Sequence, residues 1–142
     1  MLGSCLSGGE VVELRSDLGG GKTTFVRGLV KGAGRRDRVS SPTFTLSRIY
    51  KAKNFEIHHF DFYRLNDAGI LAEQLSEAIS DERVVVVEWA DIVEDVLPAE
   101  RLTIEFELTA DSPDERRITI AYPDNYRPLI IELESSWVEI EP

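Results

Sequence analysis

The sequence has few of the residues on which disulfide scaffolds and most metal sites depend. Its 142 residues include one cysteine, Cys5, and two histidines, His58 and His59. A single cysteine excludes an internal disulfide framework and a four-cysteine zinc site, and two adjacent histidines do not suit a histidine-rich metal site. No apolar run approaches the roughly 18 residues that span a bilayer, so the sequence predicts no membrane segment.

Basic residues are also scarce, since 16 lysines and arginines face 26 acids and the formal net charge is −10. This balance argues against direct binding of nucleic acid through bulk charge. Residues 31–53 are the exception, with seven bases, one acid and a net charge of +6. Three interpretations stay open for this segment: a basic docking face, a region that steers an anionic nucleotide, or a set of solvated surface side chains.

The length predicts one domain, which we place at residues 1–122, followed by an acidic extension at 123–142 that packs on it or trails from it. Residues 2–5 look like a lipoprotein cleavage box. A secretion signal needs a charged segment and a longer apolar stretch before its cleavage site, so we expect a cytoplasmic protein.

The apolar pattern alternates between strands and helices. Residues 11–14, 43–51, 55–62 and 84–87 predict strands, and residues 25–30 and 70–79 predict helices, the second capped by Asn66 or Asp67. Residues 102–108 and 118–122 predict an antiparallel pair joined by residues 111–114, and residues 129–133 fit either a helix or a strand. The order predicts an α/β sandwich with a mostly parallel central sheet and an antiparallel C-terminal strand pair.

A glycine-rich loop connects the first predicted strand to the first helix. Residues 16–23 read Ser-Asp-Leu-Gly-Gly-Gly-Lys-Thr, which matches the phosphate-loop pattern except that Ser16 occupies the first glycine position. In such a loop, backbone N–H groups and the helix dipole hold phosphates. Lys22 would then reach the β- and γ-phosphates, and Thr23 would bind Mg²⁺. The sequence therefore predicts a nucleotide site here.

A phosphate-loop enzyme also needs an acidic residue at the end of a neighbouring buried strand. Glu88 directly follows four consecutive valines, and Asp61 follows another predicted strand. We expect both carboxylates to serve the site, whereas simple solvation of a strand end is the alternative. For His59 the simplest expectation is packing in or beside the sheet, without a metal.

Four blocks of the sequence form a combined pattern. They are Asp-Leu-Gly-Gly-Gly-Lys-Thr-Thr-Phe at 17–25, Ser-Pro-Thr-Phe-Thr-Leu at 41–46, His-Phe-Asp-Phe-Tyr-Arg-Leu at 59–65 and Val-Val-Val-Val-Glu-Trp at 84–89. Together these blocks resemble the TsaE (YjeE) family, the bacterial ATPase subunit of the machinery that makes threonylcarbamoyladenosine in tRNA. The phosphate loop is generic, but the other blocks and their spacing are specific to this family.

The resemblance implies a P-loop NTPase-like fold and Mg²⁺-dependent ATP hydrolysis by a subunit that docks on TsaD–TsaB, the pair that transfers the threonylcarbamoyl group. We expect hydrolysis by the isolated chain to be slow and partner-stimulated, because a stabilising arginine often comes from a partner. It implies catalytic roles for Lys22, Asp61, Glu88 and Thr43, and metal binding by Thr23, Glu88 and Asp61. The implied ATP-binding residues are Asp17, Leu18, Gly19, Gly20, Gly21, Lys22, Thr23, Thr24 and Trp89. Two of the assignments stay open: Trp89 could equally be a packing aromatic, and Arg64 fits a structural ion pair or a partner contact.

Two departures from the family pattern shape the alternatives. Ser16 replaces a glycine, and only ten residues precede Val11, where the resemblance implies a longer segment that helps to build the nucleotide pocket. We therefore expect either an upstream start or a reduced pocket. The rival functions are a small-molecule kinase on the same fold and an interaction module whose nucleotide site has degenerated.

Overall fold

The computed structural model describes residues 1–17, 21–35 and 47–138. This part of the chain contains six strands and four α-helices, with short 3₁₀ turns at Ala90–Val93 and Asp124–Tyr126. The elements are α1 (Leu2–Cys5), β1 (Val11–Arg15), α2 (Lys22–Gly32), β2 (Ser47–Lys51), β3 (Glu56–Asp61), α3 (Gly69–Ala78), β4 (Arg83–Glu88), β5 (Leu102–Thr109), β6 (Ser112–Ala121) and α4 (Arg127–Val138).

The strands form one sheet in the order β2-β3-β4-β1-β5-β6. The four central strands, β3, β4, β1 and β5, run parallel to one another, and β6 pairs antiparallel with β5, which confirms the predicted α/β fold class. A second antiparallel strand, β2, closes the other edge beside β3 and was not foreseen as such. The predicted strand at 43–51 corresponds to β2 from Ser47 onward, and its first four residues lie outside the described ranges.

Each face of the sheet is covered by a hydrophobic cluster, as the run of valines predicts. Val84 and Val86 face a cluster that includes residues of α1, α2 and α4, whereas Val85 and Val87 face a cluster that includes residues of α3. All four valines are fully buried, and each contributes about 1.5–3 kcal/mol of burial free energy. Helix α2 therefore rests on one face of the central strands, directly after the loop that follows β1.

Two turns differ from the sequence expectation. Helix α3 has Ala68 at its N-cap position, so the predicted cap by Asn66 or Asp67 is wrong. The Asp67 carboxylate still accepts a hydrogen bond from the Gly69 N–H at 3.0 Å, because that N–H has no partner within the helix. In the hairpin, β6 already begins at Ser112, so the connection is shorter than residues 111–114. Pro113 is tolerated within β6 because this strand lies at the sheet edge.

The segment that fitted either a helix or a strand is helix α4. Leu129 and Ile130 are buried in the cluster that also contains α1 and α2 residues, while Ile131 and Trp137 are more than half exposed. Just before this helix, the Tyr126 hydroxyl accepts a hydrogen bond from the Val11 N–H at 2.9 Å. Residues 124–137 thus pack against the start of β1 and the first helices.

Among the helices of the described ranges, none combines the length and apolar character needed to cross a membrane.

Candidate functional site

The candidate site lies at the carboxyl ends of the parallel strands, where β1 leads into α2. Gly21 occupies the N-cap position of α2 with φ of 101°, a left-handed conformation that favours glycine. Ser16 does not have a positive φ, so the absence of the first glycine imposes no backbone strain at that position. Its hydroxyl donates to the Asp17 carbonyl oxygen at 2.8 Å. Leu18, Gly19 and Gly20 lie outside the described residues.

Lys22 is the first residue of α2, and its side chain is buried at the loop. Its Nζ donates a hydrogen bond to the Ser16 carbonyl oxygen at 3.0 Å and lies 4.4 Å from the centroid of the Trp89 ring. Burial lowers the pKa of Lys22 below its usual value, although the negative charges of Glu88, Asp61 and Asp17 act in the opposite direction. The ammonium group is therefore held among acids but poorly hydrated.

The two predicted acids end neighbouring parallel strands. Asp61 is the last residue of β3, Glu88 is the last residue of β4, and the two are register partners. Both are buried, with 4% and 3% of their surface exposed. The Asp61 carboxylate accepts a hydrogen bond from the Tyr63 N–H at 2.9 Å, which orients it at the strand end. The structure thus brings Lys22, Asp61 and Glu88 to one edge of the sheet.

His59 belongs to this group of buried side chains, a contact that the sequence prediction missed. Its imidazole is fully buried, and Nε2 lies 2.6 Å from Glu88 Oε2. His59 precedes Asp61 by two residues on β3, so the two side chains point to the same face of the sheet. That alternation was visible in the sequence, but the partner, on a strand beyond α3, was not.

Trp89 follows Glu88 and has an unusual backbone. Its φ of 56° and ψ of 55° are left-handed, a strained conformation for a residue with a large side chain. The ring is half-buried, 4.9 Å from the Tyr63 ring, and it covers the Lys22 ammonium. The strained turn therefore places the aromatic ring against the phosphate-loop lysine.

The remaining predicted residues are only partly located. Thr23 and Thr24 occupy the first turn of α2, where Thr23 is half-buried and Thr24 is exposed. Thr43 and the whole segment at 41–46 lie outside the described residues. Arg64 makes an interaction in the structure, so it is not a free cation.

A second buried acid, Glu13, was not singled out from the sequence. It lies on β1 and is 2% exposed. Its Oε2 accepts hydrogen bonds from Arg15 at 2.9 Å, Arg101 at 3.3 Å and the Thr103 hydroxyl at 3.5 Å. Glu13 also lines a cavity of about 470 Å³ that reaches Lys22 and Trp89. The arginines balance this carboxylate, which distinguishes it from Glu88.

The donor set at the edge suits a magnesium ion that is shared with a phosphate ligand. Within residues 1–17, 21–35 and 47–138, no three His, Cys, Asp or Glu side chains come together as a metal cage. Mg²⁺ prefers one or two carboxylates, substrate phosphates and water over a cage built by the protein alone. Asp61 and Glu88, with the hydroxyl of Thr23 in the first turn of α2, fit that pattern.

Comparison with known proteins identifies a family match over most of the chain. The profile of the family described as "Threonylcarbamoyl adenosine biosynthesis protein TsaE" matches residues 1–118. The chain is 39% identical over 126 residues to the tRNA threonylcarbamoyladenosine biosynthesis protein TsaE of Bacillus subtilis, covering 87% of this chain and 77% of that protein. It is 37% identical over 124 residues to the protein of the same name from Treponema pallidum, covering 85% and 88% of the two chains.

A solved structure shows the same likeness in three dimensions. The crystal structure of YdiB from Bacillus subtilis superposes with a TM-score of 0.77 at 35% sequence identity. The superposition covers 95% of this chain and 84% of that one. The two chains therefore share a fold as well as related sequences.

Proposed function

Because the chain belongs to the TsaE family of threonylcarbamoyl adenosine biosynthesis proteins, we propose that it binds Mg²⁺ and ATP at this edge of the sheet. We further propose that it hydrolyses ATP in support of that modification of tRNA. One observation supports the site above all others: Lys22 begins α2 within electrostatic range of two buried strand-end carboxylates, Asp61 and Glu88. A cation at the start of a helix suits the phosphates, and the carboxylates suit the metal.

Phosphate binding would use the loop, the start of α2 and Lys22. The first backbone N–H groups of a helix have no intrahelical partner and point outward, and the helix dipole favours an anion there. Lys22 already lies at the loop, where its ammonium bonds the Ser16 carbonyl oxygen. A phosphate oxygen would replace that carbonyl as acceptor and form a stronger hydrogen bond, because donor and acceptor would then both be ionised. Asp17, Gly21 and Thr24, with Leu18, Gly19 and Gly20, complete the proposed ATP-binding set, and Trp89 lies beside it.

The metal would be held by the Thr23 hydroxyl and the carboxylates of Glu88 and Asp61. When bound, Mg²⁺ neutralises charge on the β- and γ-phosphates during transfer to water. Asp61 and Thr43 would help to sense the γ-phosphate or orient the attacking water. Because both carboxylates are buried, little bulk water would screen them, and their attraction for a cation would be stronger than at an exposed site.

Hydrolysis by the isolated chain should be slow. Phosphate-loop enzymes commonly gain a stabilising arginine from a partner, and such an arginine is worth about 10³–10⁵ in rate. We propose that the partner is the TsaD–TsaB pair and that the tRNA is held by the partners, since the chain carries a net charge of −10. The basic segment at 31–53 is the first surface to examine for that contact.

Binding of a labelled ATP analogue, followed by hydrolysis with and without TsaD–TsaB, tests this function. We expect binding by the wild type, at least about tenfold weaker binding by Lys22→Ala, and hydrolysis that rises when TsaD–TsaB is added. Arg27→Ala is the matched control, because Arg27 is an exposed basic residue of the same helix and lies outside the basic segment at 31–53. Absence of binding, or fast turnover by the isolated chain, would contradict the proposal.

One observation favours a second candidate, a kinase that phosphorylates a small acceptor. The cavity of about 470 Å³ lined by Glu13, Lys22, Trp89, Asp91 and Glu94 is large enough to hold a small molecule beside the proposed phosphate site. Phosphorylation of an added acceptor, with negligible hydrolysis in the presence of TsaD–TsaB, would favour the kinase over the ATPase.

A further inference from the structure

His59 is a fully buried imidazole that makes one hydrogen bond among the described residues. Its Nε2 lies 2.6 Å from Glu88 Oε2, while Nδ1 has no hydrogen-bond partner within residues 1–17, 21–35 and 47–138. Burying a polar ring costs free energy that a hydrophobic side chain of similar size would avoid. A fully buried histidine in the middle of a sheet therefore calls for a role that leucine would not fill.

The sheet register explains why His59 meets Glu88. On β3 and β4, His59 pairs with Val86 and Asp61 pairs with Glu88. Side chains two residues apart on a strand point to the same face, so His59, Asp61 and Glu88 all face the side of the sheet on which Val86 packs. His59 lies one step inward from the strand ends, behind the two carboxylates.

The proposed role of Glu88 as a metal ligand sets the direction of the hydrogen bond. A carboxylate that binds a cation can only accept, so we assign the proton to Nε2 of His59, which donates to Glu88 Oε2. At 2.6 Å this is a short, charge-assisted contact, and it holds one oxygen of Glu88 in place. A carboxylate anchored through one oxygen loses rotational freedom before any ligand arrives.

We propose that His59 is a positioning residue, which orients the Glu88 carboxylate for the magnesium of a bound Mg²⁺–ATP complex. The inference rests on the proposed function above and adds a residue to it. Outer-shell hydrogen bonds of this kind orient metal-ligating carboxylates, and their loss typically weakens metal affinity about 10- to 100-fold. The effect of His59 should therefore appear in the Mg²⁺-dependent part of ATP binding and not in phosphate binding as such.

Three variants separate the hydrogen bond from the packing of the ring. His59→Leu keeps an apolar volume and removes the donor. His59→Gln restores an N–H donor at the distance of Nε2. His59→Asn keeps an amide whose N–H falls short of Glu88, and it serves if His59→Leu does not fold. The matched controls are His58→Leu and His58→Gln, because His58 is the adjacent residue of β3 and pairs with Glu56, away from the site, at 3.0 Å.

The measurement is the dissociation constant of a fluorescent ATP analogue in Mg²⁺ and in EDTA, with thermal unfolding of each variant. We expect unchanged affinity in EDTA, and about 10- to 100-fold weaker affinity in Mg²⁺ for His59→Leu and His59→Asn. His59→Gln and both His58 variants should stay close to the wild type. Equal affinities for His59→Gln and His59→Leu in Mg²⁺, whether reduced or not, would overturn the inference while leaving the ATP site intact. Wild-type protein that binds no analogue in either buffer would instead overturn the proposed function, and the role of His59 with it.

Discussion

Two glutamates are buried near the same edge of the sheet, yet their surroundings differ. Glu13 of β1 accepts hydrogen bonds from Arg15, Arg101 and a threonine hydroxyl, so cations of the protein itself balance its charge. Glu88 of β4 forms a hydrogen bond with one imidazole, and its negative charge influences the pKa of Lys22. The first carboxylate is satisfied within the fold, whereas the second keeps capacity for a cation.

The difference shows that burial alone does not distinguish a structural carboxylate from a functional one. A buried carboxylate that is paired with guanidinium groups is costly to disturb, because removal of one partner leaves the other charge uncompensated. A buried carboxylate beside a lysine of lowered pKa and a second carboxylate, Asp61, is typical of a functional site. Glu13 is therefore interpreted as structural and Glu88 as functional, although both are less than 5% exposed.

Glu88→Gln should produce the largest effect on activity. The amide keeps the shape and an oxygen acceptor for His59 but removes the charge that we propose for the metal. We expect ATP hydrolysis in the presence of TsaD–TsaB to fall about 100-fold, which corresponds to roughly 2.7 kcal/mol of transition-state stabilisation. The melting temperature should not fall. Hydrolysis at the wild-type rate would remove Glu88 from the mechanism.

Glu13→Gln should have the opposite effects: lower stability and unchanged activity. Arg101 is mostly buried, and the loss of the Glu13 charge leaves it with Glu94 as its carboxylate partner among the described residues. We expect a loss of about 3 kcal/mol in the free energy of unfolding, measured with urea. Hydrolysis per folded molecule should be unchanged. A variant as stable as the wild type, or one with Mg²⁺-dependent defects, would mean that the two glutamates are not distinct in role.

Lys22→Met should stabilise the fold and abolish the proposed phosphate binding by Lys22. Burial lowers the pKa of Lys22, so between the folded-state pKa and about 10.5 the unfolded chain binds more protons than the folded one. The stability of the wild type therefore rises with pH through that window. Below the window, the full cost of burying the charged ammonium group destabilises the fold. The methionine variant should have a higher melting temperature at pH 7, with an advantage that shrinks toward pH 10. An equal advantage at both pH values would contradict this origin.

Much of the framework was predictable because it depends on local patterns. Four consecutive valines identify a strand covered on both faces, and the glycine-lysine-threonine sequence after a strand identifies the start of α2. The pairing of His59 with Glu88 was not predictable, because it depends on the register between β3 and β4 across helix α3. The contact of Glu13 with Arg101 joins residues 88 positions apart, and no periodicity encodes such a contact. The predicted N-cap of α3 was wrong for a different reason. The Asp67 carboxylate does accept a hydrogen bond from the Gly69 N–H, but Asp67 lies one residue before the N-cap position.

The most direct measurement is the dissociation constant of ATP in Mg²⁺ and in EDTA for three proteins: wild type, Glu88→Gln and Glu13→Gln. If Glu88 is the carboxylate that serves the metal, Mg²⁺ should tighten binding by the wild type and by Glu13→Gln but not by Glu88→Gln. Equal tightening of all three proteins by Mg²⁺, or absence of ATP binding by the wild type, would contradict the assignment of this edge of the sheet as a Mg²⁺–ATP site.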